Sequence, residues 1–272
     1  MAKEVAIGIQ SFDKIIEGNY FYIDKTSFIK EWWESGDSVT LITRPRRFGK
    51  TLNMSMLEQF FSVDYADRGD LFEGLSIWEE KKYRELQGTY PVISLSFANI
   101  KEQDYETTRF RICQLIADLY NKNVFLLNSD LLTDADKTFF QSVCADMPEV
   151  IATMAIHKMS EFLMRYYGKK VIILLDEYDT PMQEAYLQGY WDELVSFIRN
   201  LFNATFKTNP YLGRAVMTGI TRVSKESMFS DLNNPNVCTV AVDQYATAFG
   251  FTEEEVFASM DEFDMGSEKE MC

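Results

Sequence analysis

A run of five aliphatic residues at positions 171–175 is the sequence feature that most constrains the fold of this chain. Two lysines precede the run, and Asp176 and Glu177 follow it directly. An uninterrupted apolar run of this length is typical of a strand whose two faces are both buried, as in a parallel sheet covered by helices. Because parallel strands are joined by helical crossovers, the run predicts an α/β fold.

Other segments of the chain fit the same architecture. Short apolar or β-branched runs predict further strands at residues 39–43, 91–97 and 215–217. Apolar residues at helical spacing predict helices directly after residue 51 and at residues 109–120, 151–166 and 191–206. Strands that alternate with helices in this way indicate a doubly wound, mostly parallel sheet.

The balance of charge excludes one class of function. The 272 residues include 42 acidic and 27 basic ones, so the formal net charge is −15. Phosphate backbones are bound through lysine and arginine, so we expect no direct binding of nucleic acid by this chain. No apolar run approaches the about 20 residues needed to cross a bilayer, and the N-terminus lacks the pattern of a signal peptide. We therefore predict a cytoplasmic protein without a membrane partner.

Cysteine and histidine chemistry is not expected either. The four cysteines have no paired spacing and no histidine nearby, so the sequence does not predict a zinc site. The one histidine, His157, lies off the apolar stripe of its predicted helix. We expect it on the surface rather than in catalysis.

The segment at residues 44–51, Arg-Pro-Arg-Arg-Phe-Gly-Lys-Thr, follows one predicted strand and precedes a predicted helix. Its last three residues complete the second half of a phosphate-binding P-loop, GxxxxGK[ST]. In such a loop, backbone N–H groups bind phosphate, Lys50 reaches the β- and γ-phosphate oxygens, and the Thr51 hydroxyl ligates Mg²⁺. Gly49 lets the backbone approach the phosphates. Arg44 takes the place of the first glycine, which could mean a reshaped loop with weaker phosphate binding.

The acidic residues after the aliphatic strand predict a Walker B element. Asp176 would hold Mg²⁺ at the carboxyl end of the strand, and Glu177 can act as the general base on the attacking water. Ligands of open α/β sheets bind outside the carboxyl ends of the strands, where both motifs are expected. At the end of the fourth predicted strand, Thr218 could contact the lytic water or the γ-phosphate, or simply end the strand in a turn. Arg222 could sense phosphate or be an ordinary exposed arginine.

The P-loop segment is basic in an otherwise acidic chain. It carries no acidic residue and four basic ones, namely Arg44, Arg46, Arg47 and Lys50. A loop with this charge can attract a phosphate tail. Arg46 and Arg47 could contact phosphates or a partner subunit, and a solvated basic loop is the alternative.

These motifs resemble the predicted AAA-ATPase-like family of bacterial proteins, relatives of the AAA+ and STAND ATPases. The resemblance covers nearly the whole chain and rests on blocks at residues 19–26, 44–51, 174–179, 218–225, 229–234 and 249–252. Arg44 looks like the usual form of the loop within this family. The resemblance implies an ATP-binding P-loop NTPase on an additional-strand sheet. In such a sheet the strand after Walker B lies between the Walker B strand and the P-loop strand.

The motifs and the resemblance together assign roles to individual residues. Catalysis would fall on Lys50, Glu177 and Thr218, and metal binding on Thr51 and Asp176. The residues expected to hold the nucleotide are Arg46, Arg47, Phe48, Gly49, Lys50, Thr51, Leu52 and Asp24. The resemblance places Asp24 and Lys25 near the base or ribose, whereas the same Asp-Lys-Thr sequence could simply cap a helix.

We expect residues 1–250 to form the ATPase core, with residues 1–35 leading into it. Residues 251–272 contain eight acidic residues and one lysine, and we interpret them as the acidic start of a truncated lid or C-terminal region. Members of the family often continue into a region that resembles a PD-(D/E)XK nuclease, which we do not expect in this chain.

The sequence therefore predicts a cytoplasmic domain that binds ATP and hydrolyses it with Mg²⁺, coupled to a conformational change. One alternative is a nucleotide-dependent switch with little hydrolysis that regulates a partner protein or acts within a homo-oligomer. Another is a scaffold that has lost nucleotide binding. A nuclease is the poorest alternative, because no acidic constellation of that kind is visible.

Overall fold

The computed structural model describes residues 3–221 and 235–265, and within them it contains one five-stranded sheet. The strands are β1 (Val39–Thr43), β2 (Val92–Ser96), β3 (Val171–Asp176), β4 (Leu212–Gly219) and β5 (Asn236–Cys238). Their order across the sheet is β2-β3-β4-β1-β5. The pairs β2/β3, β3/β4 and β4/β1 are all parallel, which confirms the predicted α/β fold with a parallel sheet.

The register of the central strands brings their carboxyl ends to one edge of the sheet. β4 lies between β3 and β1 and is parallel to both. Leu175 of β3 pairs with Met217, and Thr43 of β1 pairs with Gly219. The residues that follow β1, β3 and β4 therefore leave the sheet at the edge where ligands of parallel sheets bind.

Ten α-helices lie among the described residues. They are α1 (Phe12–Glu17), α2 (Ser27–Ser35), α3 (Lys50–Phe61), α4 (Lys81–Leu86), α5 (Tyr105–Lys122), α6 (Asp134–Ser142), α7 (Glu149–Tyr167), α8 (Thr180–Gln188), α9 (Trp191–Phe202) and α10 (Glu253–Glu262). The four helices predicted from apolar spacing are confirmed as α3, α5, α7 and α9. The last of them is shorter than predicted, because α9 ends at Phe202 and continues as a π-helical turn over Asn203–Lys207.

The central strands are buried on both faces, as the aliphatic run predicts. All six residues of β3 and all five of β1 are buried. On one face of β3, Val171, Ile173 and Leu175 join a core that includes side chains of α5, α7 and α9. Ile172 and Leu174, which point to the opposite face, are buried as well. Because both faces of β3 are covered, the one polar residue of the strand, Asp176, stands at its end.

The described residues group into two compact units. One unit consists of Asp37–Thr43 and Tyr90–Val237 and contains most of the sheet. The other is drawn from Met1–Gly36, Arg44–Thr89 and Cys238–Cys272. Its interior is aromatic: the Phe12 and Phe60 rings lie 5.2 and 5.1 Å from the Phe72 ring, and the Trp32 ring lies 5.5 Å from the Phe61 ring. The predicted core over residues 1–250 draws on both units, and its boundary stays a prediction.

The predicted C-terminal region begins with a regular helix start. Thr252 precedes α10, its hydroxyl accepts a bond from the Glu255 N–H, and the Glu255 carboxylate accepts one from the Thr252 N–H. This reciprocal pair is a capping box. Its assignment to a lid stays a prediction. No helix in the described parts of the chain combines the length and the apolar character that a membrane crossing requires.

Candidate functional site

The P-loop segment connects β1 to α3, as the motif requires. Gly49 is the N-cap of α3 and has a left-handed backbone with φ of +76°. Arg47 also has a positive φ, of +69°. Of the residues that the structure describes, none accepts a hydrogen bond from a backbone N–H of residues 46–50. The first N–H groups of a helix have no partner within the helix, so this loop presents a set of donors that an anion can satisfy.

Lys50 is the first residue of α3, and its side chain folds back over the loop. Only 4% of Lys50 is exposed. Its ammonium group donates to the carbonyl oxygens of Arg44 and Pro45, each at 3.1 Å. The ammonium group is therefore bound by neutral carbonyl oxygens of the loop itself. A phosphate oxygen would be a stronger acceptor for it than either carbonyl.

The four basic residues of the loop do not act as one exposed basic patch. Arg44 is 3% exposed and, like Lys50, is buried, whereas Arg46 and Arg47 are exposed. Burial holds the pKa of the Arg44 guanidinium below its ordinary value. The alternative of a solvated basic loop therefore holds for only two of the four side chains, because the other two make contacts inside the protein. Arg46 and Arg47 stay the predicted candidates for a contact with phosphate.

The Asp176 carboxylate, predicted to belong to a Walker B element, lies at the carboxyl end of β3 and is almost wholly buried. Asp176 is 4% exposed, and its Oδ1 accepts a hydrogen bond from the Thr218 hydroxyl. Thr218 itself is fully buried, and its Oγ1 also accepts from the Glu177 N–H at 3.3 Å. The structure thus brings Asp176, Glu177 and Thr218 together. The Thr218 hydroxyl orients the other two residues in addition to any contact with a ligand.

Glu177 occupies a strained position directly after β3. Its φ is +53°, in the left-handed region that side chains other than glycine rarely adopt. Its Oε2 accepts a hydrogen bond from the Thr180 hydroxyl at 3.0 Å. Backbone strain of this kind is concentrated at functional sites, where the surrounding structure enforces it. The backbone conformation and the bond from Thr180 together fix the direction of the Glu177 side chain, which supports Glu177 as a candidate site residue.

The turn after β4 is held by two residues that sequence reasoning missed. Asp179 Oδ2 accepts from the backbone N–H groups of Ile220 and Thr221 at 3.0 and 2.9 Å, and from the Thr221 hydroxyl at 3.0 Å. The Tyr178 hydroxyl donates to the Thr221 carbonyl at 2.8 Å. Asp179 Oδ1 lies so close to Gly219 that a Cβ at that position would stand 2.7 Å from it. The signal available in the sequence was the third acid of Asp176-Glu177-Tyr178-Asp179.

Asp24 has its carboxylate occupied by the protein. One oxygen accepts from the Thr26 N–H at 2.8 Å and from the Thr26 hydroxyl at 2.6 Å, and the other accepts from the Ser76 N–H at 2.7 Å. The Thr26 bonds form a turn just before α2, but the N-cap of α2 is Thr26, whose side chain makes no capping hydrogen bond, so helix capping and contact with a base or ribose both stay predictions. Lys25 pairs with Glu255.

Two further residues singled out in the sequence remain, His157 and Arg222. His157 is half-buried rather than exposed: its Nδ1 lies 3.1 Å from the Ala204 carbonyl oxygen, and its ring packs against Tyr211. The expectation of a surface histidine is therefore only partly met. Arg222 lies outside the described residues, as do the resemblance blocks after residue 221 and before residue 235.

A divalent metal would find few protein ligands here. In the described ranges, no group of three or more histidine, cysteine, aspartate or glutamate side chains could hold a metal ion. This donor set fits Mg²⁺, which usually keeps several waters and binds one or two carboxylates together with substrate phosphates. The P-loop segment, with its backbone N–H donors, fits a phosphate group, and the buried Asp176 carboxylate by itself fits one protein ligand of Mg²⁺.

Comparison with known proteins assigns the chain to a family. The family model for predicted AAA-ATPases matches residues 6–229. A protein of Azotobacter chroococcum mcd 1, described as "Uncharacterized protein in vnfD 5'region", is 29% identical over 262 residues. The match covers 94% of this chain and 44% of the relative, so the chain spans less than half of that curated relative's length. With more than half of its residues matched by the family model, the chain belongs to the family of predicted AAA-ATPases.

Proposed function

We propose that this chain binds ATP with Mg²⁺ and hydrolyses it. The observation that carries the proposal is the sheet edge at which β1, β4 and β3 end. β1 runs directly into the P-loop segment, whose backbone N–H groups at residues 46–50 donate to no acceptor among the described residues, and β3 ends in Asp176 and Glu177. A polyanion such as a triphosphate is the ligand class that satisfies such donors, and the family assignment agrees with it.

The proposed sheet type follows from strand order. β4 follows β3 in sequence and lies between β3 and β1. This order supports an additional-strand P-loop NTPase. In that fold the residue at the end of the inserted strand stands beside the Walker B acid, which is where Thr218 contacts Asp176.

The chain's own residues would divide the work of hydrolysis. Lys50 would exchange its two carbonyl acceptors for phosphate oxygens and stabilise the charge that develops on them. Thr51 and Asp176 would hold the metal, and Glu177 would accept a proton from the attacking water. Thr218 would keep the Asp176 carboxylate in one orientation. When bound, Mg²⁺ would neutralise charge on the phosphate oxygens.

The first experiment measures binding. We expect isothermal titration calorimetry to detect Mg-ATP, and Lys50→Ala to weaken binding by about 10- to 100-fold, the equivalent of one hydrogen bond to a charged group. Lys101→Ala, which removes an exposed lysine outside the site, is the matched control. Absence of binding by the unmodified chain at millimolar Mg-ATP would refute the proposal.

The second experiment measures turnover and separates an ATPase from a nucleotide-dependent switch. Loss of a general base typically costs about 10²- to 10⁴-fold in rate, so Glu177→Gln should abolish phosphate release while binding persists. Glu193→Gln on α9 is the matched control. The bond from Thr180 to Glu177 favours the switch as second candidate, because it keeps the carboxylate occupied. If phosphate release by the unmodified chain equals that of Glu177→Gln, the switch is the correct assignment.

A further inference from the structure

One segment contacts the P-loop segment and the start of α3 at several points. We call residues 238–255 the strap. They leave β5, make a series of short turns and enter α10. The strap, the P-loop segment and α3 all belong to the same compact unit.

Arg44 is the first anchor of the strap. Its guanidinium donates to the Cys238 carbonyl at 2.8 Å and to the Tyr245 carbonyl at 3.4 Å, and it lies 5.6 Å from the centre of the Phe249 ring. The planar guanidinium can bridge two carbonyls and stack on a ring at the same time, which a lysine cannot do. Because these contacts bury Arg44, it is not a phosphate ligand of the loop.

Two further anchors act on the loop and on α3. The Gly250 N–H donates to the Phe48 carbonyl at 3.1 Å, and a Cβ on Gly250 would stand only 2.9 Å from the Phe48 ring. The Asn53 side chain donates to the Ala248 carbonyl at 2.7 Å. The strap thus contacts the P-loop segment at its start, near its end and one turn into the helix.

The far end of the strap is fixed by a partly buried charge pair. The Lys25 ammonium lies 2.6 Å from both carboxylate oxygens of Glu255 and 2.7 Å from the Thr247 carbonyl oxygen. Rings of the same unit pack beneath the strap, with Phe28 at 5.1 Å from both Tyr245 and Phe249. A segment held at both ends and packed along its length can brace another segment.

We propose that Arg44 is a positioning residue that ties the strap to the P-loop and thereby holds the loop ready for ATP. The loop is exposed from residue 45 to residue 49, and it contains two residues with positive φ. Such a loop has little internal support, and the strap supplies it through the Phe48 carbonyl. A loop that must be ordered by the ligand binds more weakly than one ordered beforehand. This inference rests on the proposed ATP binding and accounts for arginine in place of the first P-loop glycine.

The test is a double-mutant cycle on the dissociation constant of Mg-ATP, measured well below the melting temperature of each variant. Arg44→Lys and Gly250→Ala should each weaken binding by roughly 5- to 50-fold, within the range typical of coupled sites. The double variant should bind Mg-ATP hardly more weakly than the weaker-binding single variant, because both substitutions release the same strap. Arg84→Lys is the matched control, since Arg84 also donates to backbone carbonyls but in the turn before α4.

Hydrogen exchange of residues 46–53 without nucleotide gives a second readout that needs no ATP. Faster exchange in both single variants, but not in Arg84→Lys, is the expected result. Unchanged ATP affinity, additive losses, or a lowered melting temperature with normal affinity would each overturn the proposal. If the unmodified chain binds no Mg-ATP, the proposed function fails. Unchanged exchange in that case overturns the bracing role as well, whereas faster exchange supports the bracing role alone.

Discussion

Replacement of Asp179 provides the most direct test of how the β3 and β4 ends are held together. Asp179 is fully buried, and its Oδ2 accepts four hydrogen bonds, from Gln183 Nε2 and from the Ile220 and Thr221 groups. Oδ1 accepts no hydrogen bond from any residue in the described ranges. All four donors to this carboxylate are neutral groups.

The magnitude follows from those bonds. Hydrogen bonds to a charged group contribute about 1.5–3 kcal/mol each, so four amount to about 6–12 kcal/mol before the cost of burying the carboxylate. That cost is itself several kcal/mol, on the order of half or more of the gain. We therefore expect Asp179→Ala to lower the free energy of unfolding by about 2–4 kcal/mol. For a chain of this size that corresponds to a melting temperature about 5–10 °C lower.

Circular dichroism melts of Asp179→Ala, Asp179→Asn and the exposed control Asp192→Ala would measure the effect. Asp179→Asn keeps one oxygen acceptor, so its free energy of unfolding should fall by about half as much as that of Asp179→Ala. The control should melt within about 1 °C of the unmodified chain. Hydrogen exchange of the 212–221 peptide should rise in the same order. A melting temperature for Asp179→Ala within about 1 °C of the unmodified chain would show that the buried bonds only offset the desolvation.

Two further predictions concern single contacts. Thr218→Val removes the hydroxyl that orients Asp176, so ATP turnover should fall by at least about tenfold while Mg-ATP affinity changes less, as phosphate release assays and calorimetry would show; equal losses in both would contradict an orienting role. For Glu255, burial raises the pKa, but the bonds from Lys25 and Thr252 outweigh burial and hold the pKa below its ordinary value. A depressed pKa contributes stability above the unfolded pKa of about 4.3 and loses it as pH falls through the folded pKa. Glu255→Gln should thus melt lower than the unmodified chain at pH 7 but not at about pH 3, and an equal gap at both pH values would contradict this.

The strands and the main helices could be predicted from the sequence because their signals are local. The five aliphatic residues of β3 and the apolar spacing of α3 each report the environment of their own segment. The motifs that contain the P-loop residues and Asp176 are local in the same sense, and the roles of these residues stay predictions. Several elements had no such signal and were not predicted, among them β5, α6 and α8, and α9 changes to a π-helical turn at Asn203.

The supporting contacts could not be predicted, because each joins segments far apart in sequence. Arg44 donates to a carbonyl 194 residues away, and Asp179 accepts from N–H groups 41 and 42 residues away. The partners in both cases are backbone groups, which every residue other than proline presents in the same form. No side-chain pattern in the strap or in the turn after β4 marks them as partners. An arginine beside a P-loop therefore looks like a phosphate ligand until the fold shows where its guanidinium lies.

Local patterns thus mark the residues proposed to act on a ligand, whereas only long-range contacts reveal the residues that support them. This difference explains why the two motifs of the chain contain more polar residues than phosphate chemistry requires. In the P-loop segment, Lys50 and the backbone N–H groups are the proposed phosphate ligands, whereas Arg44 is directed into the protein. After β3, Asp176 and Glu177 are the residues proposed for metal and water, whereas Asp179 is directed at the end of β4. Buried charges that meet neutral backbone groups are costly to maintain unless they fix a geometry that apolar residues would leave loose. In each motif, therefore, some residues are proposed to act on the ligand, and one buried charged residue holds a neighbouring segment of backbone in place.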